Sequence, residues 1–456
     1  MKASSKNLTE GSITKQLLLF LLPIFVGQLF QNLYNSVDSI VVGQAVGTTA
    51  LAAVSASSDI SMMLIGFFTG LATGAGVLFS RFFGAGDQKN LHDSIHTAIA
   101  FSLLIGFSVA ALGVIFSPFL LHVVKCPDDV YDEALAYLRV YLVGILFTSI
   151  YNVGAGVLRA VGDSRTPFIY LVISSVCNII LDVALVVLLP LGVLGAALAT
   201  VVSQLISVIL VFQKMLRTED VYKLTIRELK MDKALLKEIM RLGLPSAVQS
   251  SLVGLSNLFI QRYINSFGAA AMAGLGAGKK IDRFVATVAQ CLGLAVSTFV
   301  SQNVGAKRMD RAFQGIRVAT LVSVVYVIAV GGLVALFAMP LMRIFTTDEE
   351  AVVYGANMIW TMMPFYFFMA FNQIFSNAVR GFGKSMVVML CSVLGMIGCR
   401  QLFLAIALHF NYSIFILYIG FPVGWFCAAA SVMLYYFFAI RRKYPEEARI
   451  RRPVKG

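Results

Sequence analysis

The chain has 456 residues, of which 59% are hydrophobic and 13% charged, with a formal net charge of +13. A water-soluble domain carries roughly 25% charged residues to solvate its surface, so a chain this long with half that share excludes a soluble globular protein. The basic excess does not point to a nucleic-acid partner, because it is confined to particular connecting segments, as the chain order shows.

The N-terminal tail, residues 1–14, is polar and carries Lys2 and Lys6. Beyond it, apolar runs recur, each long enough to cross a hydrocarbon core of about 30 Å. The predicted spans are 15–43, 50–80, 95–122, 133–158, 166–190 and 192–214, then 240–264, 271–302, 313–338, 352–378, 385–408 and 413–440. The even apolar/polar alternation of a transmembrane barrel is missing, so the spans read as helices. The first run is too long for the apolar stretch of a cleavable leader and lacks a small-residue cleavage site after it, so no signal peptide is expected. Between the sixth and seventh spans lies a basic linker, 215–239, and a second basic tail follows at 441–456. Lys and Arg crowd the tails and the loops after the even-numbered spans. The alternate loops are nearly free of them, and two are acidic (Asp128, Asp129, Asp132 and Glu133; Asp348 to Glu350). This is the positive-inside pattern, and it places both termini in the cytoplasm of an inner or plasma membrane. The six cysteines show no CxxC spacing and read as small buried apolar side chains.

Self-comparison reveals a repeat. At a shift of 221 residues, Val46-Gly47-Thr48-Thr49-Ala50-Leu51-Ala52 lies on Phe267-Gly268-Ala269-Ala270-Ala271-Met272-Ala273. In the same register Ser80, Gly84 and Ala85 fall on Ser301, Gly305 and Ala306, and Arg159, Gly162 and Ser164 on Arg380, Gly383 and Ser385. Leu22-Pro23 lies on Leu244-Pro245 after one further residue. Each half holds six spans, so both enter from the same side. The expected fold is an all-α integral membrane protein of about twelve helices, an N-lobe (15–214) and a C-lobe (240–440) related by a pseudo-twofold axis along the membrane normal. Alternate opening of the two lobes is the usual mechanism of such repeats. No phosphate-binding loop, HExxH or GxSxG is present, which argues against an ATP-driven pump and against a hydrolase. Transport would then draw on an ion gradient.

Ionisable residues inside spans cost roughly 2.5–3.5 kcal/mol each on insertion scales and are functional candidates for that reason. Asp38 lies in the outer half of the first span and Asp182 in the outer half of the fifth. Asn178 is four residues before Asp182 and shares its helix face, and Thr200 of the sixth span reaches a similar depth. Two carboxylates, an amide and a hydroxyl at one level form a candidate site for H⁺ or Na⁺. In the eighth span stand Lys279, Lys280, Asp282 and Arg283, and the repeat register sets Lys280 on Asp59. A bridge between them would gate the protein, whereas local pairing within the eighth span is the plainer reading. Gln249, Asn257, Asn372 and Gln373 are further candidates in the C-lobe. Arg139, Arg262 and Arg400 lie in spans and read either as functional residues or as side chains that snorkel or pair internally. His92 and His96 have metal-like spacing at a cytoplasmic helix start, but no metal site is expected there.

These motifs resemble the multidrug and toxic compound extrusion (MATE) family, in the bacterial branch related to DNA-damage-inducible members. The resemblance rests on Leu22-Pro23, Val37-Asp38-Ser39-Ile40-Val41-Val42-Gly43, Leu51-Ala52-Ala53, Leu158-Arg159-Ala160-Val161-Gly162-Asp163-Ser164-Arg165-Thr166-Pro167, Asn178-Ile179-Ile180-Leu181-Asp182, Gly192-Val193-Leu194-Gly195-Ala196-Ala197-Leu198-Ala199-Thr200 and Lys279-Lys280-Ile281-Asp282, in that order along the whole chain. It implies a monomeric antiporter that exports small cationic and aromatic compounds in exchange for H⁺ or Na⁺, without a cofactor. It also implies that Asp38, Asn178, Asp182 and Thr200 form the N-lobe cation site, bordered by Asn152. Spans seven and ten show Gln249-Ser250-Ser251 and Asn372-Gln373-Ile374 where some members carry acids, so coupling is expected through the N-lobe. A lipid-linked precursor flippase of the wider superfamily is the alternative, ahead of a channel or receptor. A major-facilitator transporter is disfavoured because its usual loop motif is absent after the second span.

Overall fold

The computed structural model describes residues 7–46, 48–123 and 126–447 and, between residues 35 and 59, only part of the side chains. The described chain is helical throughout. In chain order the long helices are α1 (Ile13–Ala45), α2 (Thr48–Ala85), α3 (Gln88–Val123), α4 (Tyr131–Ala160), α5 (Arg165–Asp182) and α6 (Gly192–Arg217). The second set is α7 (Lys233–Asn265), α8 (Ala269–Gly305), α9 (Met309–Leu336), α10 (349–381, with a tight turn at Met363–Phe365), α11 (Ser385–Phe410) and α12 (Ile414–Lys443). Among the described residues, ten of these are long and apolar enough to cross a membrane. The other two, α7 and α10, complete the repeat. The first turns of α7 carry Lys233, Lys237, Glu238 and Arg241, and α10 is interrupted at Pro364.

Large apolar side chains face outward along these helices, among them Leu188 and Leu336 at 74% exposure, Ile328 at 70% and Phe410 at 83%. A water-soluble monomer rarely exposes so much contiguous apolar surface, whereas lipid solvates it. The same solvent explains the choice of helices, since each backbone N–H and C=O is satisfied within its own segment.

The chain divides into two compact units, one comprising Leu22–Ala247 and the other Leu8–Leu21 with Val248–Gly456. Each division falls beside a helical proline, Pro23 in α1 and Pro245 in α7, so the first turns of both helices belong to the unit other than the rest. In the first unit α4 is central, packed on α2, α3 and α6. In the second, α10 holds the corresponding place against α8, α9 and α12. Close approach comes from small residues, as expected for helices in lipid. A Cβ added to Gly74 of α2 would lie 2.2 Å from the Gly243 backbone of α7, and one added to Gly70 would lie 2.5 Å from the Ala247 backbone. In the second unit, a Cβ on Gly274 of α8 would meet the Ala351 carbonyl of α10 at 2.3 Å.

Backbone geometry repeats with the sequence. Gly162 and Gly383 adopt φ values of 85° and 78°, and Gly86 and Lys307, paired in the same register, adopt 69° and 57°. Lys307 is a non-glycine residue held in the left-handed region by the turn its repeat partner makes with glycine. The predicted linker is more ordered than its charge suggests. It runs from 218 to 232, buries Tyr222 and Leu224, and hydrogen-bonds Leu224 N–H to the Met215 carbonyl at 2.9 Å. Asp232 then caps α7 by accepting from Ala234 N–H and Leu235 N–H.

The polar start of the chain is also anchored. In the second unit, Leu8 N–H donates to Gln302 Oε1 at 2.9 Å. Arg311 donates to the carbonyls of Leu8, Glu10 and Gly11 and to Gln16 Oε1.

Candidate functional site

The first unit builds a polar layer in an otherwise apolar bundle. On α5, Ser175, Asn178 and Asp182 succeed one another at spacings of three and four residues and so line one face. All three are buried, Asn178 at 1% exposure and Asp182 at 0%. Both carboxylate oxygens of Asp182, both amide atoms of Asn178 and the Ser175 hydroxyl have no hydrogen-bond partner. On α1, Asp38 is half-buried, and its Oδ1 is likewise buried without a partner. Asp38 lies near enough to Asp182 for the two charges to interact. Directly after Asp182, residues Val183–Leu188 widen into a π-helical turn, a distortion that recurs at functional sites.

An unpartnered buried polar group costs about 1–3 kcal/mol, and these six atoms lie on two helices of one bundle. Such an arrangement is stable only if something else satisfies the oxygens. A proton turns a carboxylate oxygen into a donor, and a hard cation takes oxygen ligands directly. The surroundings are phenolic. Tyr34, one helical turn before Asp38, and Tyr137 and Tyr141 of α4 all lie within electrostatic reach of Asp38, and the first two within reach of Asp182 as well. Tyr137 and Tyr141 stack with ring centroids 5.8 Å apart. Sequence reasoning missed these phenols and Ser175. The available signals were the four-residue spacings Tyr34–Asp38 and Tyr137–Tyr141.

Two other candidates stand differently. Thr200 is buried on α6, but its hydroxyl donates back to the Ala196 carbonyl at 3.1 Å, which leaves its oxygen lone pairs for a ligand. Asn152 lies eleven residues beyond Tyr141 on α4, a rise of about 16 Å, and is half-buried. The side chain of Asp59 is outside the described residues.

The second unit has a different chemistry. Lys279 donates to Gln261 Oε1 at 2.8 Å. Lys280 is exposed and stands 5.6 Å from the centroid of the Phe345 ring. Asp282 is half-buried with an unpartnered Oδ1, and Arg283 is exposed. Gln249 of α7 accepts from Arg380 Nη2 at 2.6 Å and donates to Ser392 Oγ at 2.8 Å. Asn372 accepts from Ser376 Oγ at 3.2 Å. Gln249, Asn372, Gln373, Ser376, Arg380 and Ser392 line a cavity of about 180 Å³. Arg400, 1% exposed, donates to Ser256 Oγ at 2.6 Å and to Asn257 Oδ1 at 3.1 Å. Its plane faces Phe421, with the guanidinium carbon 5.6 Å from the ring centroid. Arg139 pairs with the Ser117 hydroxyl at 3.2 Å, and Arg262 is exposed.

The histidines of α3 make no convincing metal site, although His92, His96 and Glu228 bring ligand atoms within 4.8 Å of one another. His96 Nε2 accepts from Thr225 N–H at 3.1 Å, so Nδ1 carries the proton and donates to the His92 carbonyl at 2.8 Å. Neither ring nitrogen of His96 keeps a free lone pair.

Comparison with known proteins agrees with this architecture. The family model described as MatE matches residues 23–184 and again 245–406. A probable multidrug resistance protein, YoeA of Bacillus subtilis (strain 168), is 28% identical over 447 residues, covering 95% of this chain and 96% of that protein. YpnP of the same organism, also called a probable multidrug resistance protein, is 28% identical over 400 residues, 87% of this chain and 89% of that one. In three dimensions, the outward-facing structure of a multidrug resistance MATE family transporter of the MOP superfamily superposes with a TM-score of 0.90 at 23% identity. That superposition covers 97% of this chain and 99% of the other.

Proposed function

Since the chain belongs to the MatE family, whose members are membrane transporters and not enzymes, we propose that it is a secondary antiporter exporting amphipathic organic compounds, cations among them, in exchange for H⁺ or Na⁺. Its multi-pass helices sit in the cell membrane with both termini on the cytoplasmic side, and the monomer is the transporting unit. The names of relatives such as YoeA support an export role. The observation that carries the coupling step is Asp182: fully buried, both oxygens unpartnered, and within electrostatic reach of Asp38.

Two carboxylates in one desolvated layer resist being ionised together, because burial and a like charge both favour the neutral form. Binding of a proton or Na⁺ removes that conflict, and loss of the cation restores it. The layer therefore has two states of different charge, and cargo that prefers one of them is coupled to the ion by differential affinity. Asn178, Thr200 and the phenols of Tyr34 and Tyr137 complete the oxygen-rich surroundings, and the widened turn after Asp182 gives the backbone room to adjust.

The test is uptake of a fluorescent organic cation into everted membrane vesicles under separately imposed pH and Na⁺ gradients. Wild type should accumulate the dye under one of the two gradients, and Asp182→Asn and Asp38→Asn should each abolish that accumulation. Gradient-driven uptake that survives both substitutions would overturn the proposed coupling site.

A further inference from the structure

The second unit lacks the acidic chemistry of the first. Away from helix ends its spans hold one carboxylate, Asp282, against Lys279, Lys280, Arg283, Arg317 and Arg400, with Arg380 in the last turn of α10. Among the described residues, neither Arg380 nor Arg400 has a carboxylate within ion-pair distance. Their hydrogen bonds go to neutral groups: Arg380 to Gln249 Oε1 and Asn377 Oδ1, Arg400 to Ser256 Oγ and Asn257 Oδ1. In both, Nε–H is buried with no acceptor.

The two guanidiniums are linked through one stretch of α11. Ser392 and Met396 line the cavity that Arg380 faces. Ser256, which accepts from Arg400, donates in turn to the Met396 carbonyl at 2.9 Å, and Arg400 follows one helical turn later. The repeat register places Arg400 on Ile179, next to Asn178. The second unit thus carries a cation at a repeat position adjoining that of Asn178.

A buried cation with only neutral partners is electrostatically unfinished. A guanidinium offers a planar fork of donors that matches carboxylate and phosphate oxygens, and here one wall of a polar cavity presents it. The cavity exceeds several times the ~30 Å³ share of a water molecule, enough for a compact anionic group.

We propose that the cavity lined by Gln249, Gln373, Ser392 and Arg380 is an anion-binding site that takes a carboxylate or phosphate head-group of the transported molecule. Arg380 supplies the direct contact. Arg400, one turn behind Met396, keeps the region positive. The amide groups of Gln249 and Gln373 and the hydroxyls of Ser376 and Ser392 add neutral donors. The cargo range then extends from organic cations to amphiphiles bearing an anion, zwitterions included. Assigning the anion to cargo rests on the transport reading, whereas the site itself does not.

The experiment is equilibrium binding to the full chain in nanodiscs of zwitterionic lipid, read by energy transfer from Trp360 and Trp425 to a pyrene probe. Pyrenebutyrate and a pyrenebutyl-trimethylammonium salt share the ring and tail and differ in head charge. Saturable binding of pyrenebutyrate is expected, displaced by millimolar inorganic phosphate and weakened about tenfold or more by Arg380→Gln, with Arg380→Lys intermediate. The trimethylammonium probe should respond to neither phosphate nor Arg380→Gln. Equal effects on both probes, pyrenebutyrate affinity within twofold of wild type in Arg380→Gln, or no displacement by phosphate would overturn the site. If Arg380→Gln fails to fold, phosphate displacement from wild type and the Arg380→Lys comparison decide the matter. Failure of the coupling proposal shows in vesicle flux, whereas failure of the anion site shows in this binding assay, which needs no ion gradient.

Discussion

Replacing Arg311 with alanine should loosen the start of the chain from the second unit. Arg311 is 7% exposed and donates to Leu8 O at 3.1 Å, Gly11 O at 2.7 Å, Glu10 O at 2.8 Å and Gln16 Oε1 at 2.7 Å. Hydrogen bonds to a charged group are worth roughly 1.5–3 kcal/mol each, so a simple sum would give about 6–12 kcal/mol. That sum is too large, because three acceptors are carbonyls of an end segment that water can reach once it detaches. Part of the strap also survives: Leu8 N–H keeps Gln302, and Thr9 O keeps Arg308 at 2.7 Å. The expected loss is therefore about 2–4 kcal/mol, of the order of removing one partner from a buried charged network. For a chain of this size that corresponds to a fall of roughly 2–4 °C in thermal midpoint. Unfolding of the purified protein in detergent would be followed with a thiol-reactive dye, and hydrogen exchange would be read across residues 8–16. Arg311→Lys keeps the charge without the planar fork and should fall between the two. A midpoint within about 1 °C of wild type, together with unchanged exchange at residues 8–11, would refute the reasoning.

Other expectations follow from single contacts. Lys307→Gly relieves a left-handed backbone that its repeat partner Gly86 adopts freely, and should raise stability by about 1 kcal/mol, measured as a higher thermal midpoint. Gly74→Val sets a side chain where the Gly243 backbone lies 2.2 Å away. No rotamer avoids that clash, so the variant should lose most of its folded, monodisperse fraction on size exclusion, whereas Gly254→Ala, with nothing within 4 Å of its added Cβ, should not. At the start of α3, the Asn90 side chain and then its backbone N–H hold the Asp87 carboxyl below the usual range. A lowered carboxyl pKa contributes stability that is present above the ordinary value of ~3.9 and lost as pH falls through the folded value. Asp87→Ala should therefore cost up to about 1 kcal/mol at neutral pH, and its difference in thermal midpoint from wild type should shrink below about pH 4.

Much of this architecture was legible because lipid imposes simple rules. All twelve spans could be read as apolar runs, including α7, which starts among charges, and α10, which is broken at Pro364. Asp38 and Asp182 stood out because a carboxylate in a span is rare. Tyr34, Tyr137 and Tyr141 did not, because a phenol among phenylalanines has the same apolar body and differs only in where its hydroxyl ends up. The Gln249–Arg380–Ser392 cluster joins α7 to α10 and α11 across 131 and 143 residues of sequence, a separation no periodicity reports. His92 and His96 show the converse case. Their spacing suits a metal, yet a backbone N–H from the linker takes the lone pair that a metal would need.

The two units share a backbone and diverge in charge, and these facts have different causes. Left-handed turns at Gly162 and Gly383, helix prolines at Pro23 and Pro245, and central helices α4 and α10 persist because packing in lipid tolerates few alternatives: a glycine turn or small-residue crossing cannot be varied without moving a whole helix. Buried polar residues answer to another pressure. Each costs free energy wherever it lies unpartnered, so a repeat left to stability alone would lose its charges from both halves. Instead one half retains Asn178 and Asp182, whereas the other has Cys399 and Phe403 at those repeat positions and carries Arg400 at that of Ile179; Asp182 and Arg400 each have atoms left unpartnered. Loss of the carboxylate from one half is what relaxed constraint would produce; a buried, unpartnered cation added to that same half is not. The opposed charges are best understood as two binding functions on one duplicated scaffold, and exchanging them should therefore be more damaging than removing either. Asp182→Arg should abolish coupling and also reduce folding yield, because a larger side chain is forced into a fully buried position, whereas Asp182→Asn should abolish coupling alone.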